Sequence, residues 1–134
     1  MINVIAVDDL EKVLAKLESI ANVISGGGGG GSGVNYSTNE VNTGVKYIDN
    51  KPVYQKTIVL NNATNGATLA TGVEHVIECS GYVTDSSGTE VAIPYAVSTT
   101  TAGVWKDNTD SAIFVCSSAY NNRKAEITIR YTKL

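Results

Sequence analysis

Six consecutive glycines at positions 26–31, followed by Ser32 and Gly33, divide this 134-residue chain into two unequal parts. Neither a helix nor a strand is stable across such a run, because glycine loses more backbone entropy on ordering than any other residue. Eight residues of this composition behave as a random coil that spans about 16 Å on average. The sequence therefore predicts a flexible Gly/Ser linker at 26–33, between an N-terminal segment at 1–25 and a larger domain at 34–134.

The N-terminal segment has the residue spacing of an amphipathic helix that starts near Asp8 and ends before Gly26. Asp8 is a suitable N-cap, and Glu11 stands three residues later, as in a capping box. A helix of about 17 residues is only marginally stable alone, so its apolar face must be buried against another surface. We favour self-association into a short bundle; docking onto a larger partner and packing against the β domain are the alternatives. The predicted trimerisation residues are Leu10, Val13, Leu14, Leu17, Ile20 and Ile24.

After the linker, the hydrophobic pattern changes from the helical period to period two. Residues 125–132 (AEITIRYT) alternate strictly between apolar and polar side chains, as in a strand with one face in a core. Further strand candidates lie at 52–60, 74–84, 91–97 and 112–117, and Pro94 indicates an edge or a bulge. Clusters of Asn, Asp, Ser and Gly separate these candidates and are typical of turns. The pattern predicts a mainly β domain, either a sandwich or a barrel.

Composition and charge argue against two classes of partner. The chain has 10 basic and 13 acidic residues and a net charge of -3, so we do not expect a nucleic-acid binder that works by neutralising phosphates. Its apolar runs are much shorter than the roughly 20 residues that cross a bilayer, so we do not expect membrane insertion. Residues 1–9 carry no Lys or Arg before their apolar stretch, so a secretory signal is not expected either.

The soft metal ligands are too few for a structural zinc site in one copy. Cys79 and Cys116 are the only cysteines and His75 is the only histidine, whereas such a site needs four ligands at short paired spacings. Both cysteines stand in apolar, strand-like sequence. We therefore expect two free, buried thiols in a protein made in a reducing cytoplasm, with a disulfide between them as the alternative.

Three further positions carry residue types that occur in binding or catalytic sites. His75 has no partner at a spacing that indicates catalysis or metal binding, and we expect a structural or surface histidine. The stretch that begins at Asp107 resembles a calcium loop, but Ala112 and Ser118 stand where glycine and glutamate are required, which favours a solvated turn. Trp105 is the sole tryptophan; it is either a ligand contact that stacks on a sugar or a residue of the core or a subunit interface.

No catalytic arrangement emerges from the spacing of nucleophiles, histidine and carboxylates. We find no Ser-His-Asp pattern and no paired carboxylates at the spacing of a glycosidase. The expectation is a protein that is not an enzyme and has no catalytic residue, no cofactor and no metal.

Five stretches of the β domain resemble the tip domain of phage tail fibres and head fibres. The most specific is the opening, where residues 36–40 (YSTNE) and 43–57 (TGVKYIDNKPVYQKT) are similar to a pattern Y-S-T-x-E, then T-G-x-x-W-I-D-G-K-P-[IV]-Y-[RQ]-K. Residues 80–83 (SGYV), 91–95 (VAIPY) and 125–134 (AEITIRYTKL) are similar to the middle and the end of that domain. Tyr47 replaces the usual Trp and Asn50 the usual Gly. Asn50 tolerates the left-handed conformation that a turn there needs, so we expect the hairpin to be kept.

The resemblance implies a homotrimer with a jelly-roll-like β-sandwich head, carried on a virion and assembled in the host cytoplasm. The N-terminal segment would then attach to a capsid or tail protein, and the head would touch host-surface glycan weakly and many times over. A capsid decoration or assembly protein without a host ligand is the first alternative. A small enzyme that degrades glycans is the second.

Overall fold

The computed structural model describes residues 34–134, which form nine β-strands and one turn of 3-10 helix. The strands are β1 (Val41–Lys46), β2 (Pro52–Ala63), β3 (Thr68–Thr71), β4 (Val73–Thr84), β5 (Glu90–Ala92), β6 (Tyr95–Val97), β7 (Thr100–Lys106), β8 (Ser111–Cys116) and β9 (Arg123–Lys133). The 3-10 turn, Ser118–Tyr120, lies between β8 and β9. The predicted N-terminal helix, its trimerisation residues and the predicted linker lie outside the described residues.

The strands form two antiparallel sheets. One has five strands in the order β1-β2-β9-β4-β5, and the other has four in the order β3-β8-β7-β6. The mainly β fold expected from the sequence is therefore confirmed for residues 34–134. No helix in this part of the chain is long and apolar enough to cross a membrane.

One hydrophobic cluster receives side chains from both sheets. From the centre of the five-stranded sheet, β9 contributes Ile127, Ile129 and Tyr131, which are almost completely buried, because alternate residues of a strand point to the same face. From the four-stranded sheet, β8 contributes Ala112 and Phe114 in the same way. The period-two pattern of residues 125–132 therefore identifies the central strand of the core correctly.

The prediction of one strand at 91–97 is wrong, because this stretch forms two short strands in different sheets. Residue Ala92 ends β5, at the edge of the five-stranded sheet, and Tyr95 begins β6, at the edge of the four-stranded sheet. Pro94 lies between them and has no N–H to donate to a ladder, so the strand is interrupted there. The sequence predicted an edge or a bulge at Pro94; the structure places Pro94 in the link between two edge strands, in neither of them.

The turn between β1 and β2 has the geometry that the sequence motif predicts. Asn50 adopts a positive φ of 65°, in the left-handed region. Its N–H donates to the Tyr47 carbonyl at 2.8 Å, and the Tyr47 N–H donates to the Lys51 carbonyl at 2.9 Å. Asn50 thus takes the conformation for which glycine is usual, and the hairpin is kept.

Candidate functional site

Trp105 lies on the outer face of the four-stranded sheet and is 65% exposed. Along β7 the buried residue is Ala102, so Thr101, Gly103 and Trp105 alternate onto the opposite face, away from the hydrophobic cluster. Trp105 is therefore not a core residue of the described domain. A ligand contact and a subunit contact remain as interpretations of its exposure.

A cavity of about 300 Å³ lies beside Trp105. We call it the Trp105 cleft, and it includes the side chains or backbone of Pro94, Tyr95, Gly103, Val104, Trp105 and Val115. Gly103 is paired with Val115 and Trp105 with Ile113, so apolar side chains stand across the strand from the indole. None of the described residues that line the cleft carries a charge, and the cleft therefore suits an apolar or neutral surface.

A second concavity, which sequence reasoning missed, lies on the outer face of the five-stranded sheet. It has a volume of about 330 Å³, and we call it the tyrosine groove. Its lining residues are Tyr36, Thr57, Ser80, Gly81, Tyr82, Glu126 and Thr128. The alternation of each strand predicts that several of these side chains face outward, but their assembly depends on the strand register, which the sequence does not reveal.

Asp49, Glu74 and His75 form the one cluster of possible metal ligands found among residues 34–134, with ligand atoms all within 4.8 Å of one another. Glu74 and His75 converge although they are adjacent on β4, because the register with β9 shifts between Val73 and His75. Lys51 Nζ lies 2.6 Å from Glu74 Oε2, so an ammonium group already balances this carboxylate. Asp49 also accepts a hydrogen bond from the Lys51 N–H at 3.0 Å. The cluster therefore fastens the β1–β2 turn to β4, and His75 is an exposed residue at its edge.

The stretch at Asp107 is a hydrogen-bonded turn, as the sequence favours. Asp107 Oδ1 accepts from the Thr109 N–H at 2.9 Å, the Thr109 hydroxyl at 2.8 Å and the Ser111 N–H at 3.0 Å. The Thr109 hydroxyl and the Ser111 N–H lower the pKa of the Asp107 carboxyl. One of its two oxygens is thus committed to the turn, which leaves a poor ligand set for calcium.

Cys79 and Cys116 are free thiols on different sheets, one on β4 and the other on β8. Burial raises the pKa of both thiols. Because the thiolate is the nucleophile, neither cysteine has the environment of a reactive one.

Glu40, Tyr131 and Lys133 form a hydrogen-bonded cluster where the chain enters β1. The Tyr131 hydroxyl donates to Glu40 Oε1, and Lys133 Nζ donates to Glu40 Oε2 at 2.6 Å. Burial, together with the Glu40 carboxylate, raises the pKa of Tyr131. Burial alone would raise the pKa of Glu40, but the hydrogen bonds from Lys133 and Tyr131 lower it overall. Tyr131 thus stays protonated and Glu40 stays ionised. The cluster links β9 to the start of β1 by hydrogen bonds and does not have the properties of an acid–base pair.

No family model, no curated protein and no solved structure matches this chain. The resemblance to phage fibre tips therefore rests on the motif residues alone.

Proposed function

We propose that this chain is a structural virion protein of the head-fibre or tail-fibre type. In this proposal residues 34–134 are a trimeric, jelly-roll-like β head that attaches to the host surface. The N-terminal segment binds a capsid or tail protein. The exposed indole of Trp105 beside an uncharged cleft supports the attachment role, and the similarity of residues 36–57 to fibre tips supports the virion assignment.

An exposed tryptophan is unfavourable unless a partner covers it. Trp105 leaves 65% of its surface in water, and covering apolar surface yields about 25 cal/mol per Å². An indole also presents a flat apolar face and an N–H donor, a combination enriched at binding surfaces. Surface contact with a ligand or a partner chain thus accounts for the position of Trp105 better than a folding role.

Host glycan is the ligand that we favour for the Trp105 cleft. The C–H face of a sugar ring is apolar and packs on an aromatic ring, while an uncharged lining imposes no requirement for a charged ligand. One such contact is weak. Three copies on one fibre, and several fibres on one particle, would raise the overall affinity without any new contact.

A capsid decoration protein is the second candidate, and the apolar neighbours of Trp105 favour it. Ile113 lies directly across from Trp105 and Val115 from Gly103, so the surface has the character of a protein–protein contact as well. In that case Trp105 would be buried against another copy or a capsid protein, and no host ligand would exist.

The two candidates differ in what a Trp105→Ala variant loses. In the attachment proposal the variant loses binding to host cells and to an array of host glycans, while its mass in solution is unchanged. Ile48→Ala is the matched control, since Ile48 is 93% exposed and lies in the β1–β2 turn; this variant should bind normally.

If Trp105→Ala instead changes the oligomeric mass, and the parent chain binds no glycan, the decoration candidate is favoured and the attachment proposal fails. Release of sugar from any host polysaccharide would contradict both candidates and indicate an enzyme.

A further inference from the structure

We propose that the tyrosine groove binds one ring of a neutral saccharide. This inference goes beyond the proposed function, because the groove lies on the outer face of the five-stranded sheet and shares no residue with the Trp105 cleft, which is lined mainly by β6, β7 and β8 and also by Cys79 of β4. It would hold even if Trp105 contacts only protein.

The floor of the groove is a row of hydroxyl groups. In the register of the sheet, Thr57 on β2 pairs with Thr128 on β9, and Thr128 pairs with Ser80 on β4. The row therefore crosses three neighbouring strands on the face opposite the core. Thr128 is only 7% exposed, which places it at the bottom of the groove.

This floor can both donate and accept hydrogen bonds. Thr57 Oγ1 and Thr128 Oγ1 lie 2.7 Å apart, so one of the two hydroxyls donates to the other. The pair keeps one proton and several lone pairs, and Ser80 adds a further hydroxyl. Sugar hydroxyls also donate and accept, so a saccharide can satisfy such a floor whichever way each hydroxyl turns.

Two tyrosines flank this floor. Tyr82 is half-buried on β4, whereas Tyr36 is 76% exposed. Hydrogen bonds fix the backbone on both sides of Tyr36: the Asn35 carbonyl accepts from Gln55 Nε2 at 3.4 Å, and the Ser37 carbonyl accepts from the Thr57 N–H at 2.8 Å. An exposed ring on an anchored backbone can cover an apolar sugar face at a small cost in entropy.

The charge of the groove selects against acidic sugars. Glu126 is the only charged residue among those that line it, and Lys124 Nζ forms a long, partly exposed salt bridge with Glu126 Oε1 at 4.0 Å, which balances the carboxylate only in part. A carboxylate is an acceptor for sugar hydroxyls, but it repels another carboxylate. A neutral pyranose therefore fits the groove better than a uronic or sialic acid.

The experiment titrates the full chain with the methyl glycosides of glucose, galactose, mannose and N-acetylglucosamine, monitored by saturation-transfer NMR. Methyl glucuronide serves as the acidic comparator. We expect at least one neutral glycoside to bind with a millimolar dissociation constant, and Tyr36→Ala to weaken that binding about tenfold or more. Tyr82→Ala should act in the same direction. Because Tyr36 is largely exposed, its variant tests the groove even if Tyr82→Ala does not fold.

One control variant and one background variant separate this inference from the proposed function. Tyr47→Ala removes a tyrosine outside the groove and should bind the glycoside as the parent chain does. In a Trp105→Ala background, which disables the Trp105 cleft, adding Tyr36→Ala should still remove the glycoside binding that remains. The inference is overturned if none of the neutral glycosides binds, or if the glucuronide binds more tightly. It is also overturned if binding survives Tyr36→Ala and is lost in Trp105→Ala. Loss of host-cell attachment in Trp105→Ala, with glycoside binding intact, would support both proposals independently.

Discussion

At the scale of single residues, Gly81 is the glycine at which a substitution would be tolerated least. It has a φ of +114° in the middle of β4, and a Cβ atom there would lie 2.0 Å from the Glu126 carbonyl oxygen of β9. A glycine inside a strand often marks a close approach of another backbone, and here that backbone is the central strand. Any larger residue has to move β4 away from β9.

We therefore expect Gly81→Ala to lower the free energy of unfolding by more than about 3 kcal/mol, since strain and a backbone clash combine. Gly66→Ala is the matched control: Gly66 also has a positive φ, +89°, but nothing lies within 4 Å of its Cβ position. It should cost about 1–2 kcal/mol, from conformational strain alone. Urea denaturation of both variants measures the difference, and equal losses would mean that the clash is relieved by a small shift of β4.

Glu40 is the residue for which the structure predicts a pH effect. Its pKa is lowered by the hydrogen bonds from Lys133 and Tyr131, which outweigh its burial. A depressed folded-state pKa stabilises the fold above the unfolded-state value, and this contribution is lost as the pH falls through the folded-state value. Glu40→Gln keeps an acceptor and removes the charge, so it should lower the stability at neutral pH by less than about 1 kcal/mol, because the pair is partly exposed.

The gap in unfolding free energy between the parent chain and Glu40→Gln should close as the pH is lowered below the folded-state pKa of Glu40. Thermal unfolding followed from neutral to strongly acidic pH measures this gap. A gap that stays constant, or widens in acid, would show that the charge of Glu40 contributes nothing to the fold.

At the scale of strands, alternation identified the strands that place the most side chains in the core, and it missed β1, β3 and β7, although Leu69 of β3 and Ala102 of β7 are buried there. β2, β4, β8 and β9 overlap their predicted ranges because each places several apolar side chains in the shared cluster. β3 has four residues, too few for a pattern. β1 contains Gly44 at a positive φ, and its register with β2 is irregular. β7 begins with two threonines and contains Gly103, so its alternation is not visible in the sequence.

The candidate sites, like the strands, could be predicted from the sequence only in part. The sequence singles out Trp105 as a candidate because it is the sole tryptophan. Its exposure depends on which face of β7 meets the core, and the sequence did not predict β7. The tyrosine groove requires Thr57, Ser80 and Thr128 to share one row. These residues are far apart in the sequence, and only the insertion of β9 between β2 and β4 brings them together. Register is set by the whole sheet and is not encoded in any single strand.

At the scale of the whole molecule, the proposal assigns the β head and the N-terminal segment to assemblies that can differ in symmetry. Three heads related by a threefold axis must be joined to a virion site whose local symmetry need not be threefold. Eight Gly/Ser residues can accommodate such a mismatch, because the entropic cost of closing a flexible connection rises slowly with its length. A rigid connector would impose one symmetry on the other. In the proposed virion protein, the glycine run would let a trimeric head and its attachment site keep different symmetries.

The oligomeric state is the property on which this proposal depends most directly. We expect the full chain at micromolar concentration to have the mass of a homotrimer in solution, measured by light scattering or sedimentation. Leu14→Asp combined with Leu17→Asp should reduce it to a monomer, because two carboxylates would have to be buried in the predicted trimerisation face. The control pair, Lys12→Asp with Lys16→Asp, places the same charges outside that face.

A monomeric parent chain would contradict the trimer itself. A trimer that survives both pairs of substitutions would mean that residues 34–134 hold the copies together. In that case the apolar surface around Trp105 would become the leading candidate for the interface, since an outward-facing indole next to Ile113 and Val115 needs a partner of some kind. The mass of the two variants therefore decides which part of the chain holds the copies together, whether or not the proposed host ligand exists.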